Sequence, residues 1–394
     1  MRAALWSLCL LLGLVLRPDA VQAVESQRTA PEAGAAKAAS AGGQPGQEKT
    51  LRLKRFSCVD RQGTGIEAFS MLIPADWQFE GGIRWVLDNP SMPATAAFTV
   101  RSPGGSDVFE VFPNQAFYWT DNQMMLSNLP PGGRYFGNEV RPPVGALEAL
   151  KQIVVPRFRG KAAGLRIVGE QLLPELAKAL GAGAPQPGVS TSASAAKVRL
   201  EYAEGGRWME EEVYGVVETV SFQTRTMTGV HTNTMWYADY LFSFRSEMGK
   251  LASRAKLFQT MASSFRINPQ WFSKYNQLVE YLIQRQIQHI QNIGQLSRMI
   301  SQTHDQISRE MMDSYNQRQA VYDRLSDDFS RHIRGVEQYH DPLQGKSVEL
   351  PAGYPNVWAN SNGEYVLTED PNFNPAVGSN LHWERIEPAG ATPP

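Results

Sequence analysis

The sequence predicts an α+β protein: an antiparallel sheet flanked by helices, then one long α-helix and a small C-terminal β module. Three observations predict it. Residues 51–268 are filled by short runs rich in aromatic and β-branched residues, parted by Gly, Pro, Asn and Asp, as strands joined by turns are. No proline falls between Pro269 and Pro342, so an uninterrupted helix of about 70 residues is permitted. Beyond it, Asn362 and Gly363 join "VWANS" to "EYVLT" and read as a two-residue type I′ hairpin turn.

The first residues bear on compartment. Arg2, the apolar run "ALWSLCLLLGLVL" and the small-residue ending "VQA" at Ala23 read as a signal peptide over residues 1–23. The chain is therefore expected to be exported, to the periplasm or beyond. The run is shorter than the roughly 20 apolar residues of a spanning helix. No later segment is longer, so the mature chain should carry no integral membrane segment. With Cys9 in the leader, Cys58 stands alone and no intramolecular disulfide can form; a small buried hydrophobe is its ordinary role. The 38 basic and 39 acidic residues leave a net charge of −1, without the basic surplus of a nucleic-acid binder.

Residues 24–50 are dominated by Ala, Gly, Ser, Pro and Gln and lack aromatic residues, so a disordered linker is expected there. "LGAGAPQPGVSTSASAAK" at 180–197 has the same composition and reads as a loop or an internal boundary. Between the two lie the strand runs "EAFSMLIP", "GIRWVL", "TAAFTVRS", "SDVFEVF" and "QAFYW". "GALEALKQIVVPRF" then reads as a helix ended by Pro156. In "TMWYADYLFSFRS", Trp236, Ala238, Tyr240, Phe242 and Phe244 fall on one side of a period-2 strand, with Asp239, Ser243 and Arg245 on the other. One buried face follows from that alternation. "EMGKLASRAKLFQTMASSF" carries an apolar helical stripe that should lie on the sheet.

A strand opening with "FSMLIPADW", further antiparallel strands, and a helix ending in "SFRINPQW" resemble the PsbP-like α/β/α sandwich proteins across residues 51–268. The resemblance implies a sheet with helices on its faces, used for binding and assembly, and it supplies no catalytic residues.

The helix expected over 269–338 starts well, with Asn268 as N-cap and Pro269 in the first turn. Ile300, Met311, Tyr322 and Ile333 recur every eleven residues, a stripe compatible with a coiled-coil-like seam and self-association; Ser314 and Arg318 interrupt it. Residues 339–388 form the expected β module, and 389–394 a disordered tail. The helix followed by "YHDP", "ELPAGY", "VWANSNGEY" and a closing Trp resembles a tail that recurs in uncharacterised secreted bacterial proteins, which carry no assigned chemistry.

Within that module Trp358, Tyr365 and Trp383 are expected to form a core and to be the residues available for binding. Asp370, Asn372 and Asn374 alternate like calcium ligands, but Pro375 stands where an EF-type loop needs Gly and Leu381 where it needs Glu. Asx turns are the preferred reading, and no metal or other cofactor is expected. Glu210, Glu211 and Glu212 read as a solvated strand edge. The six histidines show no metal spacing, and neither G-x-S-x-G nor a phosphate loop occurs.

These readings converge on an exported bacterial binding, assembly or scaffold protein without catalytic activity. It would dock a protein or cell-envelope partner through its α/β domain and long helix. The alternative is a cell-envelope hydrolase, which would need a pocket in the α/β domain where His231 or Cys58 meets a carboxylate.

Overall fold

The computed structural model describes residues 50–86, 89, 92–180, 188–227, 229–285, 309–332 and 335–389. The leader, nearly all of the linker and the last five residues lie outside them. The chain opens with β1 (Thr50–Val59), β2 (Glu67–Pro74), β3 (Gln78–Trp85), β4 (Ala94–Arg101), β5 (Val108–Val111) and β6 (Gln115–Thr120). Helix α1 (Gln123–Asn128), the short strands β7 (Arg134–Tyr135) and β8 (Asn138–Val140), and helix α2 (146–159) follow. Next come β9 (Ala163–Leu172), α3 (Pro174–Leu180) and three long antiparallel strands, β10 (Val189–Glu204), β11 (Arg207–Thr226) and β12 (Gly229–Glu247). The remainder is α4 (Leu251–Ser263), β13 (Arg266–Ile267), α5 (Pro269–Arg285), α6 (Arg309–His332), β14 (Val336–Asp341), β15 (Lys346–Pro351), β16 (Asn356–Asn360), β17 (Tyr365–Thr368) and β18 (Trp383–Ile386).

The molecule is mostly β, which corrects the α+β expectation. A ten-stranded sheet has the main order β3-β4-β5-β12-β11-β10-β9, with β6 also pairing β12 and β8 beside it, and it curls into a half-barrel. Both of its faces are covered, because β12 is buried along nearly its whole length. One face carries Trp236, Leu241, Val213, Val217 and Val198 against α2. The other carries Phe98, Phe109, Phe242 and Phe244, which meet Phe258 and Phe265 from the α4 region and Phe69 of β2.

The expected long helix is not present as a rod. Ser273 Oγ lies 3.2 Å from Met311 Sδ, and the rings of Phe272 and Tyr315 are 6.1 Å apart, so α5 and α6 run antiparallel side by side. In one straight helix the first pair would be roughly 57 Å apart. An uninterrupted proline-free run permits a long helix without requiring one. Both halves gain more by burying their stripes on the half-barrel than by extending into water. Ile300 and Ile333 of the eleven-residue stripe lie outside the described residues.

Nor does the tail stand apart. β17 pairs with β1 in register Leu51↔Leu367 and Leu53↔Tyr365, giving a six-stranded sheet of order β13-β2-β1-β17-β16-β18. The first strand of the fold thus closes on the C-terminal hairpin. The hairpin turn is a three-residue loop, 361–363: Asn360 N–H donates to Glu364 O, and Gly363 alone takes a positive φ, +73°. A type I′ turn would need Asn362 there too.

Two further expectations are corrected. Residues 181–187 lie outside the described residues, but the second half of 180–197 is strand: from Val189 to Lys197 the chain pairs residue for residue with Phe222 to Tyr214, because a partner strand overrides the weak local preference of Ser and Ala. Helix α2 runs through Pro156. Leu150–Val154 is a π turn in which Val155 N–H reaches Leu150 O, and the helix resumes with Pro156 near its start.

Candidate functional site

A cavity of about 120 Å³ lies between the inner face of the half-barrel and the helices α5 and α6. Its walls are mainly apolar and aromatic, including Phe69, Phe109, Phe242, Phe265, Trp271 and Phe272. Three charged side chains line it as well: Glu218 of β11, Asp239 of β12 and Arg318 of α6.

A bulge in β12 puts Asp239 there. The register runs Tyr214↔Phe242 and then Val216↔Asp239, so Tyr240 and Leu241 together oppose Gly215. Tyr240 takes φ +49°, uncommon for a residue with a side chain, and its N–H donates to Asp239 Oδ1 at 2.6 Å. The extra residue resets the alternation. Trp236 and Ala238 pack toward α2, whereas Asp239, Tyr240 and Phe242 all face the cavity. Gly215 is required opposite the bulge, since a Cβ would sit 2.8 Å from Leu241 Cδ2 and 2.9 Å from Leu150 Cδ2. On β11, Val216 pairs with Asp239 and Glu218 with Tyr237, which makes Glu218 and Asp239 diagonal neighbours on one face.

The helices are placed by specific contacts. Asn268 Oδ1 accepts from Gln270 N–H as the N-cap of α5, and Asn268 N–H donates to Ala68 O. Buried Asp60 accepts from Trp85 Nε1 and Trp271 Nε1, both at 2.9 Å, and so fixes the first turn of α5 against β1 and β3. Arg266 pairs with Asp323 of α6 at 3.1 Å. The Tyr322 ring then lies 4.7 Å from Phe265 and 5.3 Å from Tyr240.

Arg318 Nη1 reaches Asp239 Oδ2 at 3.5 Å, and its guanidinium lies 5.9 Å from the Tyr240 ring centre and 6.0 Å from that of Phe272. Burial alone would lower its pKa, but Tyr240, Asp239 and Glu218 raise it, so it stays charged. Glu218 accepts no hydrogen bond from any described residue. Burial, reinforced by Asp239 and opposed by Arg318, pushes its carboxyl up to about 7. Burial also raises Tyr240, Tyr275 and Tyr322, which keep their protons.

Compared with known proteins, the chain matches no family model, no curated protein and no solved structure.

The residues singled out from sequence lie elsewhere. Tyr365 is buried in the main core and donates to Asp341 Oδ2 at 2.6 Å. Trp358 and Trp383 are half-buried, and the register (Trp358↔Val366, Asn360↔Trp383, Ala359↔Tyr365) puts both on the sheet face opposite Tyr365. The three do not form one core or one site. Asp370 Oδ1 accepts from Asn372 N–H and Asn374 Oδ1 from Ala376 N–H, both at 2.9 Å, which are Asx turns. Among the described residues no three His, Cys, Asp or Glu side chains gather as metal ligands would.

Glu210 and Glu211 are not a solvated edge. Both are buried, Glu211 beside Arg159 Nη2 at 2.7 Å and under the Tyr202 hydroxyl, Glu210 beside Arg199 and the Leu251 N–H. Burial would raise Glu211, but Arg159 outweighs it and holds the carboxyl below its ordinary value. His231 Nδ1 lies 3.4 Å from Asp121 Oδ1, and Cys58 is buried with its thiol pushed up to about 11 by that burial; neither lines the cavity. The cavity's own charged residues carried one sequence signal, an Arg interrupting the apolar stripe of a helix.

Proposed function

We propose that the protein is an exported binding protein that holds a small, largely apolar molecule in the cavity beneath α5 and α6. One observation carries the reading. In a cavity walled by rings, burial and neighbouring charges, and no hydrogen bond, act on the Glu218 carboxyl and the hydroxyls of Tyr240, Tyr275 and Tyr322. None of these groups is among the fully buried polar atoms left without a partner, so they open onto the cavity, where water or a ligand can answer them. A cavity of about 150 Å³ accepts benzene, and at about 120 Å³ this one suits a group of that size.

The hydrolase alternative would need a different site, since His231 lies beside Asp121 and neither it nor Cys58 lines this cavity. No described helix is long and apolar enough to cross a membrane.

The test is thermal unfolding of the full chain with millimolar benzyl alcohol. Ligand held only by the folded state raises its stability by RT ln(1 + [L]/Kd). A saturable rise in Tm is expected, abolished by Ala262→Phe, which fills the cavity from α4. No rise, or an equal rise in the filled variant, contradicts the reading.

A further inference from the structure

We infer that the cavity takes a small organic cation, an alkyl- or arylammonium ion, with the Glu218 carboxylate as its counter-ion. This rests on reading the cavity as a binding site. The argument is one of charge complementarity. Asp239 of β12 and Arg318 of α6 already answer each other, and the guanidinium is held between the rings of Tyr240 and Phe272. Glu218 has no ion-pair contact of that kind: Arg318 opposes its charge through space, without a hydrogen bond. An anion would meet two carboxyl groups and one guanidinium already engaged. A neutral molecule would leave the Glu218 charge offset only in part, by Arg318. An ammonium group answers it, donating to the carboxylate while its carbon substituents lie on ring faces, which attract cations.

The groups facing Glu218 are Asp239, Tyr237 and Tyr240 from β12, Tyr275 from α5, and Arg318 and Tyr322 from α6. Arg318 stays charged, and Tyr240, Tyr275 and Tyr322 stay neutral through the physiological range. Glu218 itself changes charge near pH 7. Affinity for a cation therefore rises with pH through that value.

Isothermal titration calorimetry of the full chain with benzylammonium chloride, benzyl alcohol and benzoate, at pH 8 and pH 5.5, tests this. Benzylammonium should bind at least about tenfold more tightly than benzyl alcohol at pH 8, lose that advantage at pH 5.5, and exceed benzoate throughout. Glu218→Gln should remove the preference for benzylammonium over benzyl alcohol at pH 8. The wild-type series alone decides the matter should that variant misfold. Benzyl alcohol binding as tightly as benzylammonium at pH 8 overturns the cation and leaves the cavity reading standing. Benzoate binding tightest overturns it in favour of Arg318 as an anion anchor. If none of the three binds, both readings fall.

Discussion

Glu218 gives the molecule a measurable pH signature. Its folded pKa of about 7 lies above the ordinary 4.5, so between those values the folded chain holds a proton that the unfolded chain releases. Stability contributed by this group therefore falls as pH rises from about 4.5 to about 7, and is flat above. The half-buried position reduces the effect to about 2 kcal/mol. Urea unfolding at pH 5 and pH 8 should show that loss in the wild type and a smaller one in Glu218→Gln, with the variant the more stable of the two at pH 8. Parallel pH profiles would show that Glu218 is solvated. Glu218, Asp239 and Arg318 were hard to read from the chain because each looks ordinary in its own segment. Arg318 reads as a flaw in an apolar seam, and Asp239 as the outward residue of a half-exposed strand; only their convergence gives them meaning.

At the scale of elements, the β12 bulge decides which side chains share the cavity. Strict alternation groups Trp236 with Phe242, whereas the left-handed Tyr240 separates them. Gly215 makes the bulge possible, so Gly215→Ala should cost about 1–3 kcal/mol by pressing Leu241 and Leu150 apart. Chemical denaturation would measure it, and a neutral result would mean that the two leucines yield freely. Strand identity was well marked locally: the runs read as β2, β4, β5 and β12 are strands, because aromatic and β-branched density reports burial on a pleated surface. What the chain hides is set by partners at a distance. The strand formed by a Ser- and Ala-rich run, a helix carried through Pro156 by a π turn, and the folding back of α6 on α5 all depend on neighbours far along the sequence.

Across the whole molecule, the two ends of the described chain and the helices share one core. Leu51 and Leu53 of β1 lie in it with Leu350 of β15 and Tyr365 and Leu367 of β17. Removing everything from Val336 onward would leave β1 paired with β2 alone and expose that core. The truncated chain should lose cooperative unfolding, and retention of the full-length Tm would show the tail to be an accessory module. Export makes a separate demand, that the mature N-terminus be Val24; intact mass from the native host would show it, and a retained leader would remove the export reading.

All of this depends on α6 folding back, since only then can Arg318 of α6 stand over Asp239 and the cavity be enclosed. The direct measurement is the distance between spin labels placed by Ser273→Cys and Met311→Cys in a chain with Cys9 and Cys58 replaced by Ala. Packed helices lie roughly 8–10 Å apart, so with the reach of the labels the distance should fall under about 20 Å. A continuous helix would put the labels roughly 57 Å apart, and a distribution centred there would contradict both the fold and the site.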